Sequence, residues 1–488
     1  MDSAAKPERL HFIGGWYLAF AAPLIFMIGV ISYFVVFETF DMTALTVAGL
    51  LGLLAGALLA RNYQSYWNAA LRGIATPMSA TLLLILLVVS LFAALLDVSG
   101  VAGGMVWLAG QFGLSGGLFP AVVFVLAGAL AMATGSSIST LFTAFPILFP
   151  AGIALGADPL LLAGAILSGA LFGDNIAPIS DSTIVSATTQ RYRGREGVAD
   201  IAGVVRSRAR YALTAFAASV VLYAIAGPAM ADQQGSATAG LTAGAKPLLM
   251  LVAVAVLVGV AFWKRDIFLA TSAGLAAGLI VAVPTGLVPG SAIIGAEDGA
   301  ATGFLVTGVT DMLPLIGLGL VIFAIIGVLE ASGAFDILVN AIARWSNPTN
   351  PRGAELTIGA GAVLAGGLFA GVNGPTMLFY GPLADRIGAA AGLHPYRRAN
   401  VMDCVVLGIG SIVPVVSSFL LIASSLTADV PGTAQVSALT LFVVTWYPLV
   451  LTLVMLTAIL TGWGRRFEGP AGEPVSIPAR RSAGRTGN

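Results

Sequence analysis

Long apolar stretches separated by short polar loops dominate the sequence. A helix needs about 20 apolar residues to cross a hydrocarbon core about 30 Å thick, and ten stretches approach that length. They are 16–37, 43–60, 79–97, 160–189, 211–230, 247–263, 267–288, 312–330, 399–426 and 438–463. Two further pieces, 119–157 and 355–393, are apolar on both sides of a glycine-rich break. Each is either a re-entrant hairpin or a pair of short full spans. The pattern predicts an all-α polytopic membrane protein.

Composition narrows the class of protein further. The chain is 58% hydrophobic and 9% charged, whereas ordinary globular proteins carry about 25% charged residues. This excludes a soluble enzyme, a disordered scaffold and a DNA-binding protein. Lys plus Arg and Asp plus Glu both number 23, so no net charge favours a nucleic-acid partner. One cysteine and two histidines exclude a disulfide framework and argue against a thiolate or histidine metal site, and we predict no cofactor.

The positive charges fall on one side of the membrane when the N-terminus is placed in the cytoplasm. Of the 23 Lys and Arg residues, all but Lys246 then lie inside, including the arginine-rich runs 191–210 and 386–398. By the positive-inside rule, we expect a multi-pass protein of the cell inner (cytoplasmic) membrane with both termini in the cytoplasm. Residues 464–488 are rich in Arg, Pro, Gly and Ser, which predicts a disordered basic tail.

The chain matches itself without gaps at an offset of 236 residues. The matched pairs include Gly135 with Gly371, Thr140 with Thr376, Pro146 with Pro382, Gly156 with Gly392, Pro178 with Pro414, and Ser182 with Ser418. Loops at equivalent positions differ in charge, because the turn near 154–159 has no Lys or Arg and the turn at 385–398 has three. Equivalent positions are therefore predicted on opposite sides of the membrane, as in inverted-repeat transporters. The predicted units are a cytoplasmic N-terminus 1–15, a first repeat 16–230, an external linker 231–246, a second inverted repeat 247–463 and the tail 464–488. Each repeat has about five spans plus a re-entrant or broken hairpin.

Three acids remain at membrane depth: Asp174, Asp181 and Asp403. Acids in the bilayer are costly and usually face a cavity where they function. Pro178 denies one helical hydrogen bond and Gly173 loosens the preceding turn, so we expect a broken helix here. Carboxylates, an amide and hydroxyls would then surround a hard cation such as Na⁺ at Asp174 and Asp181. The predicted cation- and proton-binding residues are Asp174, Asn175, Ser180, Asp181, Thr183 and Asp403.

The second copy carries a similar break without acids. Gly410 and Pro414 mark this break, and Asp403 lies seven residues before Gly410, either as a third carboxylate or as a pairing partner. Further polar candidates at the hairpin tips and in the second repeat are Ser137, Thr140, Asn373, Thr376, Ser411 and Ser417. Burial and a neighbouring carboxylate both favour protonation of an acid. One site that binds either a proton or a cation, combined with alternating access, is sufficient for antiport.

Residues 168–186, reading SGALFGDNIAPISDSTIVS, resemble the signature of NhaC-type sodium/proton antiporters in the ion-transporter superfamily. The resemblance covers about residues 130–425, with Pro382, Pro395 and Pro414 in the similar later half. It implies an inner-membrane antiporter, Asp174 and Asp181 as the leading cation-site acids, and elevator-like motion of the hairpins and broken helices. Met402 precedes Asp403 where relatives tend to have an acidic pair. The family also includes exchangers of organic acids and amino acids.

Three functions follow as hypotheses. The first is exchange of Na⁺ (or Li⁺) for H⁺, and the second is sodium-coupled symport or antiport of a small organic acid or amino acid. A carboxylate substrate would need an arginine at membrane depth, which the span assignment lacks, or helix N-termini, which 136–140 and 373–376 can present. The third is an intramembrane aspartyl protease with Asp174 and Asp403, whose motif needs glycine where Leu171 stands. The expected partners are the bilayer and small cations. Ion preference, stoichiometry and oligomeric state stay open, with a homodimer among the alternatives.

Overall fold

Helices joined by short turns make up most of the structure, which is a computed structural model. It describes residues 9–37, 42–113, 116–231, 244–264, 266–297, 299–334, 337, 350–414, 416–427 and 435–477. Within these ranges the only sheets are two antiparallel two-stranded hairpins. The predicted all-helical class is therefore confirmed. Most of the predicted linker 231–246, the first residues of the N-terminus and the last of the tail lie outside the described residues.

The first half of the chain contains ten α-helices among the described residues. A 3₁₀ turn, Trp16–Phe20, leads into the first helix, and a π-helical turn, Ser32–Val36, follows it. The helices are α1 (Ala21–Ile31), α2 (Met42–Leu59), α3 (Tyr63–Ile74), α4 (Pro77–Val98), α5 (Val101–Gln111), α6 (Phe119–Thr134), α7 (Ser137–Ala154), α8 (Pro159–Ile176), α9 (Asp181–Thr188) and α10 (Ile201–Met230).

The second half begins with a 3₁₀ turn, Lys246–Met250, and also contains a π-helical segment, Val406–Gly410. Its helices among the described residues are α11 (Leu251–Lys264), α12 (Ile267–Ala282), α13 (Phe304–Ser332), α14 (Pro351–Leu368), α15 (Asn373–Ala390), α16 (Pro395–Val405), α17 (Ser418–Leu426), α18 (Ala438–Val444) and α19 (Trp446–Thr461). A 3₁₀ turn, Gly290–Ala292, and strands β1 (Gly295–Glu297) and β2 (Ala300–Thr302) precede α13, and β3 (Phe467–Glu468) and β4 (Pro474–Val475) follow α19.

Six helical segments among the described residues are long and apolar enough to cross a bilayer, or seven if the pair α18 and α19, bent by 53°, is one span. Shorter apolar helices stand at four more positions: Trp16–Ile31, Phe119–Thr134, Lys246–Val260 and Phe268–Ala282. These helices cover nine of the ten predicted spans. The tenth, 399–426, is divided between α16, the π-helical segment and the short α17, and the full count of ten spans stays a prediction. The two glycine-rich pieces are helical hairpins, α6–α7 and α14–α15.

Two helices were not predicted, α3 and α5. The buried residues of α3 are Tyr66, Ala69, Ala70 and Gly73, which recur every three to four positions and form one apolar stripe. The helix is too polar outside this stripe to register as a span. Asn62 caps its N-terminus by accepting a hydrogen bond from the Ser65 N–H at 2.9 Å. Gly73 packs against Gly327 of α13, where a Cβ at Gly73 would lie 2.7 Å from the Gly327 Cα.

The boundaries of several helices repeat at the predicted offset of 236 residues. Helix α7 runs from 137 to 154 and α15 from 373 to 390, and α8 and α16 begin at 159 and 395. Gly135 and Gly371, which precede α7 and α15, have φ angles of 69° and 77°, in the left-handed region that favours glycine. The same turn residue at the same position in both copies explains why glycine matches in the sequence. The inverted orientation of the copies stays a prediction.

The expectation of a disordered tail from Gly464 is wrong for residues 464–477. Strands β3 and β4 pair in this segment, and Phe467 forms a β-bridge with Leu393. Arg465 binds the buried carboxylate of Glu355 at 2.6 Å. The basic composition that suggested disorder instead supplies partners for acids within the protein.

Candidate functional site

A cavity of about 250 Å³ lies where the two hairpin tips and the first broken helix meet. The lining residues come from the α6–α7 tip, the break between α8 and α9, the α14–α15 tip, and parts of α4 and α17. They include Thr134, Gly135, Ser136, Ser137, Asp174, Asp181, Ser182, Val372, Asn373, Gly374 and Phe419. The structure therefore brings together segments that are more than 200 residues apart in the sequence.

The predicted helix break is present, although four residues later than Gly173. Helix α8 ends at Ile176 and α9 begins at Asp181, with Pro178 between them. Gly173 lies inside α8 and serves close packing: a Cβ there would lie 2.4 Å from the Cβ of Ala131 and 2.4 Å from the carbonyl oxygen of Gly128, both in α6. The break itself packs against the first hairpin tip, because a Cβ on Gly135 would lie 2.8 Å from Ile179.

Asp174 is the buried acid of the cavity, with 6% of its surface exposed. The hydroxyls of Ser137 and Ser180 both donate hydrogen bonds to its carboxylate. The Asn373 amide nitrogen lies 3.5 Å from Oδ2, and the Ser182 hydroxyl lies 3.5 Å from Oδ1. Both hairpin tips and the helix break thus contribute a polar side chain to one carboxylate.

Asn373 has a further property that suits a cation site. Its side-chain oxygen is buried and has no hydrogen-bond partner among the described residues. A buried carbonyl oxygen without a donor is costly unless a cation or water meets it. Carboxylate, amide and hydroxyl oxygens are the ligands that hard cations prefer, and Asp174, Asn373 and Ser137 offer one of each.

Several helices begin at this cavity. Ser137 starts α7, Asp181 starts α9 and Asn373 starts α15, and Phe419 is in the first turn of α17. The first N–H groups of a helix have no acceptor within the helix, and the N-terminus carries a partial positive charge. The arrangement therefore favours a negative charge inside the cavity, either the carboxylate of Asp174 or an anionic group of a solute.

The mouth of the cavity carries two exposed acids. Asp181 is exposed and lines the same cavity as Asp174. Asp266, which caps α12 by accepting a hydrogen bond from the Leu269 N–H at 3.0 Å, is also exposed and lines it. The cavity thus opens at the end of the molecule where α11 meets α12.

Three predicted site residues face away from this cavity, namely Asn175, Thr183 and Asp403. Asn175 donates to Asp403 at 2.9 Å and accepts from the Tyr447 hydroxyl at 3.0 Å. Thr183 accepts from Arg208 at 2.9 Å, and Arg208 forms an ion pair with Asp403 at 2.7 Å. This ion pair agrees with one of the two roles considered for Asp403, that of a pairing partner.

Arg208 was not among the predicted site residues, because the charge distribution assigned 191–210 to a cytoplasmic loop. The structure pairs it with the buried Asp403 at 2.7 Å. The structure places Arg208 within α10, fully buried. Its position in the sequence contains a signal, because Val204, Arg208, Tyr211 and Ala215 recur every three to four residues and share the buried face of α10.

The hydroxyls of the remaining candidates donate hydrogen bonds to backbone carbonyls and do not line the cavity. The hydroxyls of Thr140 and Thr376 donate to carbonyls four residues earlier, at 2.9 Å and 2.6 Å. Ser411 donates to the Leu407 carbonyl at 3.1 Å, and Ser417 donates to the Ser411 carbonyl at 2.5 Å. Gly410 ends the π-helical segment, and Pro414 lies in the non-helical stretch before α17, so the second predicted break is present.

Comparisons with known proteins found a matching family model, relatives and a solved structure. Residues 7–228 match the model of the Na⁺/H⁺ antiporter family. A Malate-2H(+)/Na(+)-lactate antiporter of Bacillus subtilis is 29% identical over 206 residues, which are 42% of this chain and 41% of the relative. The Na⁺/H⁺ antiporter NhaC of Alkalihalophilus pseudofirmus is 48% identical over 50 residues, 10% of this chain and 11% of the relative. The matches thus span less than half the length of these curated relatives.

Among solved structures, the YdaH transporter of Alcanivorax borkumensis is similar over 80% of this chain and 91% of its own, with a TM-score of 0.39 and 13% identity. The family match and the apolar helices describe a multi-pass membrane protein, and the family is one of transporters rather than enzymes. Through residues 7–228 the chain is related to the Na⁺/H⁺ antiporter family, and the resemblance to its NhaC-type members that residues 168–186 indicated is confirmed.

Proposed function

We propose that the protein exchanges Na⁺ (or Li⁺) for H⁺ across the cytoplasmic membrane, and that Asp174 binds the two ions in turn. The observation that carries the proposal is one buried carboxylate held between both hairpin tips, with the Asn373 amide nitrogen 3.5 Å from it and the buried oxygen of that amide without a partner among the described residues. A carboxylate in such a place binds either a proton or a cation, because an uncompensated buried charge is costly. Competition for one site then couples the two ions.

Proposed ligands follow from the contacts around the carboxylate. Asp174, the Ser137 hydroxyl and the Asn373 side-chain oxygen supply Na⁺ ligands, and Ser180 orients the carboxylate. Asp181 stands at the mouth and attracts cations toward the cavity. No resident cofactor takes part, since Na⁺ and H⁺ are the cargo.

The broader architecture belongs to the same proposal. Residues 16–230 and 247–463 form two repeats of opposite orientation, and the repeated boundaries of α7 and α15 support the pairing. The predicted topology puts Lys264 and Arg265 in the cytoplasm. The cavity would then open toward the cytoplasm through Asp266, as expected for one end state of alternating access.

A second candidate is sodium-coupled symport or antiport of a small organic acid or amino acid. The starts of α7, α9 and α15 at the cavity favour this candidate, because helix N-termini bind carboxylates. The relative from Bacillus subtilis carries malate and lactate in its name. The cavity, about 250 Å³, approaches the lower end of the range of ligand pockets, about 300–1,000 Å³.

The test uses everted vesicles from a host that lacks its own antiporters, with collapse of a pH gradient as the readout. We expect Na⁺ or Li⁺ to collapse the gradient in the wild type and not in Asp174→Asn. The matched control is Asp311→Asn, an acid of the membrane helix α13 that lines a separate smaller cavity and should leave exchange unchanged.

Two results would decide against the proposal. Normal exchange by Asp174→Asn would remove the site. A wild-type protein that is present in the membrane but gives no response to Na⁺, Li⁺ or K⁺ at any pH would favour the second candidate. In that case, uptake of labelled dicarboxylates, monocarboxylates and amino acids with and without Na⁺ would identify the solute.

A further inference from the structure

A fully buried arginine lies next to the cavity without lining it. Arg208 in α10 and Asp403 in α16 both have 0% side-chain exposure, and Nη2 of Arg208 lies 2.7 Å from Oδ2 of Asp403. This contact is an ion pair rather than an aligned hydrogen bond. Burial of two charges has a desolvation cost that their attraction only partly offsets, so stability alone is a weak explanation for the pair.

The guanidinium of Arg208 joins the two segments of the first broken helix. Nη1 donates to the carbonyl oxygen of Asn175 at 2.7 Å and to the hydroxyl of Thr183 at 2.9 Å, and Nη2 donates to the hydroxyl of Ser186 at 3.0 Å. The carbonyl belongs to the last turn of α8, where helix carbonyls have no partner within the helix. The two hydroxyls belong to α9. One planar side chain therefore fixes both ends of the break.

The same group also reaches the second repeat. Nε of Arg208 donates to Oδ1 of Asn400 at 3.1 Å, and Asp403 accepts from the Asn175 amide at 2.9 Å. Both Asn400 and Asp403 are in α16. Asn175 directly follows Asp174, so this network holds the chain immediately after the buried carboxylate.

We propose that Arg208 is a positioning residue of the exchange site, which holds the ends of α8 and α9 around Asp174 and cancels the charge of Asp403. Asp403 is accordingly a counter-ion and not a ligand of the transported cation. This inference rests on the proposed cation/proton exchange at Asp174. It assigns a role to an arginine that neither the family motif at 168–186 nor the cavity lining includes.

The charges give the proposal a distinctive signature. Asp403 lies one residue-contact from the site, because it accepts a hydrogen bond at 2.9 Å from Asn175, the residue next to Asp174. Removal of the acid alone leaves the Arg208 cation unpaired beside the site, where it repels Na⁺. Removal of both charges leaves neither the Asp403 carboxylate nor the Arg208 cation near the site. The double variant should therefore bind Na⁺ better than the single variant, the opposite of what loss of a ligand would give.

The experiment measures initial Na⁺-dependent exchange in proteoliposomes, and separates the half-saturating Na⁺ concentration from the maximal rate. We expect Asp403→Asn to raise the half-saturating concentration roughly tenfold. The double variant Arg208→Gln with Asp403→Asn should return to within about threefold of the wild-type half-saturating Na⁺ concentration, since the Coulomb effect is gone. Its maximal rate should stay below that of the wild type, because the hydrogen bonds of Arg208 across the break are lost. Arg208→Lys keeps the charge, so it should keep the Na⁺ affinity while its maximal rate falls.

Asp385→Asn is the matched control. Asp385 is buried in α15 and pairs with Arg398 at 3.2 Å and Arg193 at 2.6 Å, outside the cavity. Its loss breaks one buried pair, with Arg398, and one pair with the half-exposed Arg193. It should therefore lower the amount of folded protein without changing the half-saturating Na⁺ concentration.

Two outcomes overturn the inference. A double variant with Na⁺ affinity as weak as Asp403→Asn would make Asp403 a ligand. An Asp403→Asn variant that only loses folded protein, as the control does, would make the pair purely structural. A wild type without Na⁺-dependent exchange would instead refute the proposed function, and this is seen before any variant is compared.

Discussion

Gly173→Ala tests whether the closeness of α8 and α6 positions the buried carboxylate. An alanine Cβ at this position would lie 2.4 Å from the Ala131 Cβ, 2.4 Å from the Gly128 carbonyl oxygen and 2.5 Å from the Met132 backbone nitrogen. Two of these atoms are backbone, so the helices must separate rather than a side chain rotate. Overpacking of this kind typically destabilises a protein by about 1–3 kcal/mol, and we expect the upper part of that range.

The displacement should also affect exchange. Asp174 follows Gly173 directly, and its contacts with Ser137 and Ser180 depend on where α8 lies. The assay combines thermal unfolding of the purified protein with exchange in vesicles. The matched control is Gly259→Ala in α11, where no atom lies within 4 Å of the added Cβ and alanine is the better helix former by about 1 kcal/mol. If Gly173→Ala, like Gly259→Ala, unfolds at or above the wild-type temperature and exchanges normally, close packing at Gly173 does not position the site.

Three further predictions concern the site and the contacts of residues 464–477. Ser137→Ala removes a hydroxyl that contacts Asp174, and hydrogen bonds to charged groups are worth about 1.5–3 kcal/mol, so Na⁺-dependent exchange should need at least tenfold more Na⁺. Glu355→Gln weakens the contacts of a buried carboxylate with Arg397 and Arg465. Because a lost buried ion pair costs about 3–5 kcal/mol, the unfolding temperature should fall and proteases should cut residues 464–477. A fall in pH should also expose residues 464–477 to proteases, because it protonates His394, which contacts the Gly472 carbonyl oxygen. Burial lowers the pKa of His394 below its usual value of 6.5.

The sign for His394 follows from its contacts. Its Nδ1 accepts from the Tyr396 N–H at 3.2 Å and its Nε2 lies 3.1 Å from the Gly472 carbonyl oxygen, which together fit the neutral ring. A lowered pKa means that its contribution to stability is full above pH 6.5 and is lost as the pH falls through the folded value. Protease cleavage of the tail that is equally pH-dependent in His394→Gln would contradict this role, as would unchanged Na⁺ dependence in Ser137→Ala or an intact tail in Glu355→Gln.

The sequence predicted the parts of the site that depend on backbone chemistry. Gly135, Gly371 and Pro178 mark breaks because positive φ angles and the missing proline N–H are properties of single residues. Asp174 was predictable because an acid within an apolar span is costly unless it functions. These signals are local, so no knowledge of the packing was needed.

Contacts between residues that are distant in the sequence were not predictable in the same way. Asn175 and Thr183 lie in the motif beside Asp174 and share its polarity, but the direction of each side chain depends on Arg208 and Asp403, which are distant in the sequence. The positive-inside rule counts arginines by sequence position and cannot distinguish a loop residue from one that pairs inside the fold. The tail 464–477 was misjudged for the same reason, because its acidic partner Glu355 lies more than 100 residues earlier.

The order of synthesis gives the hairpin of β3 and β4 a role in assembly. Glu355 and Arg397 reach the membrane well before Arg465 is translated, so the buried acid has only one of its two arginines until the last helix has been made. Glu468 then contacts the backbone N–H groups of Arg193 and Gly194 as well as Arg398, which joins a loop of the first half to the second. The hairpin therefore completes this end of the molecule, and a ribosome that stalls before residue 465 would leave Glu355 and the loop at 193–194 without these contacts.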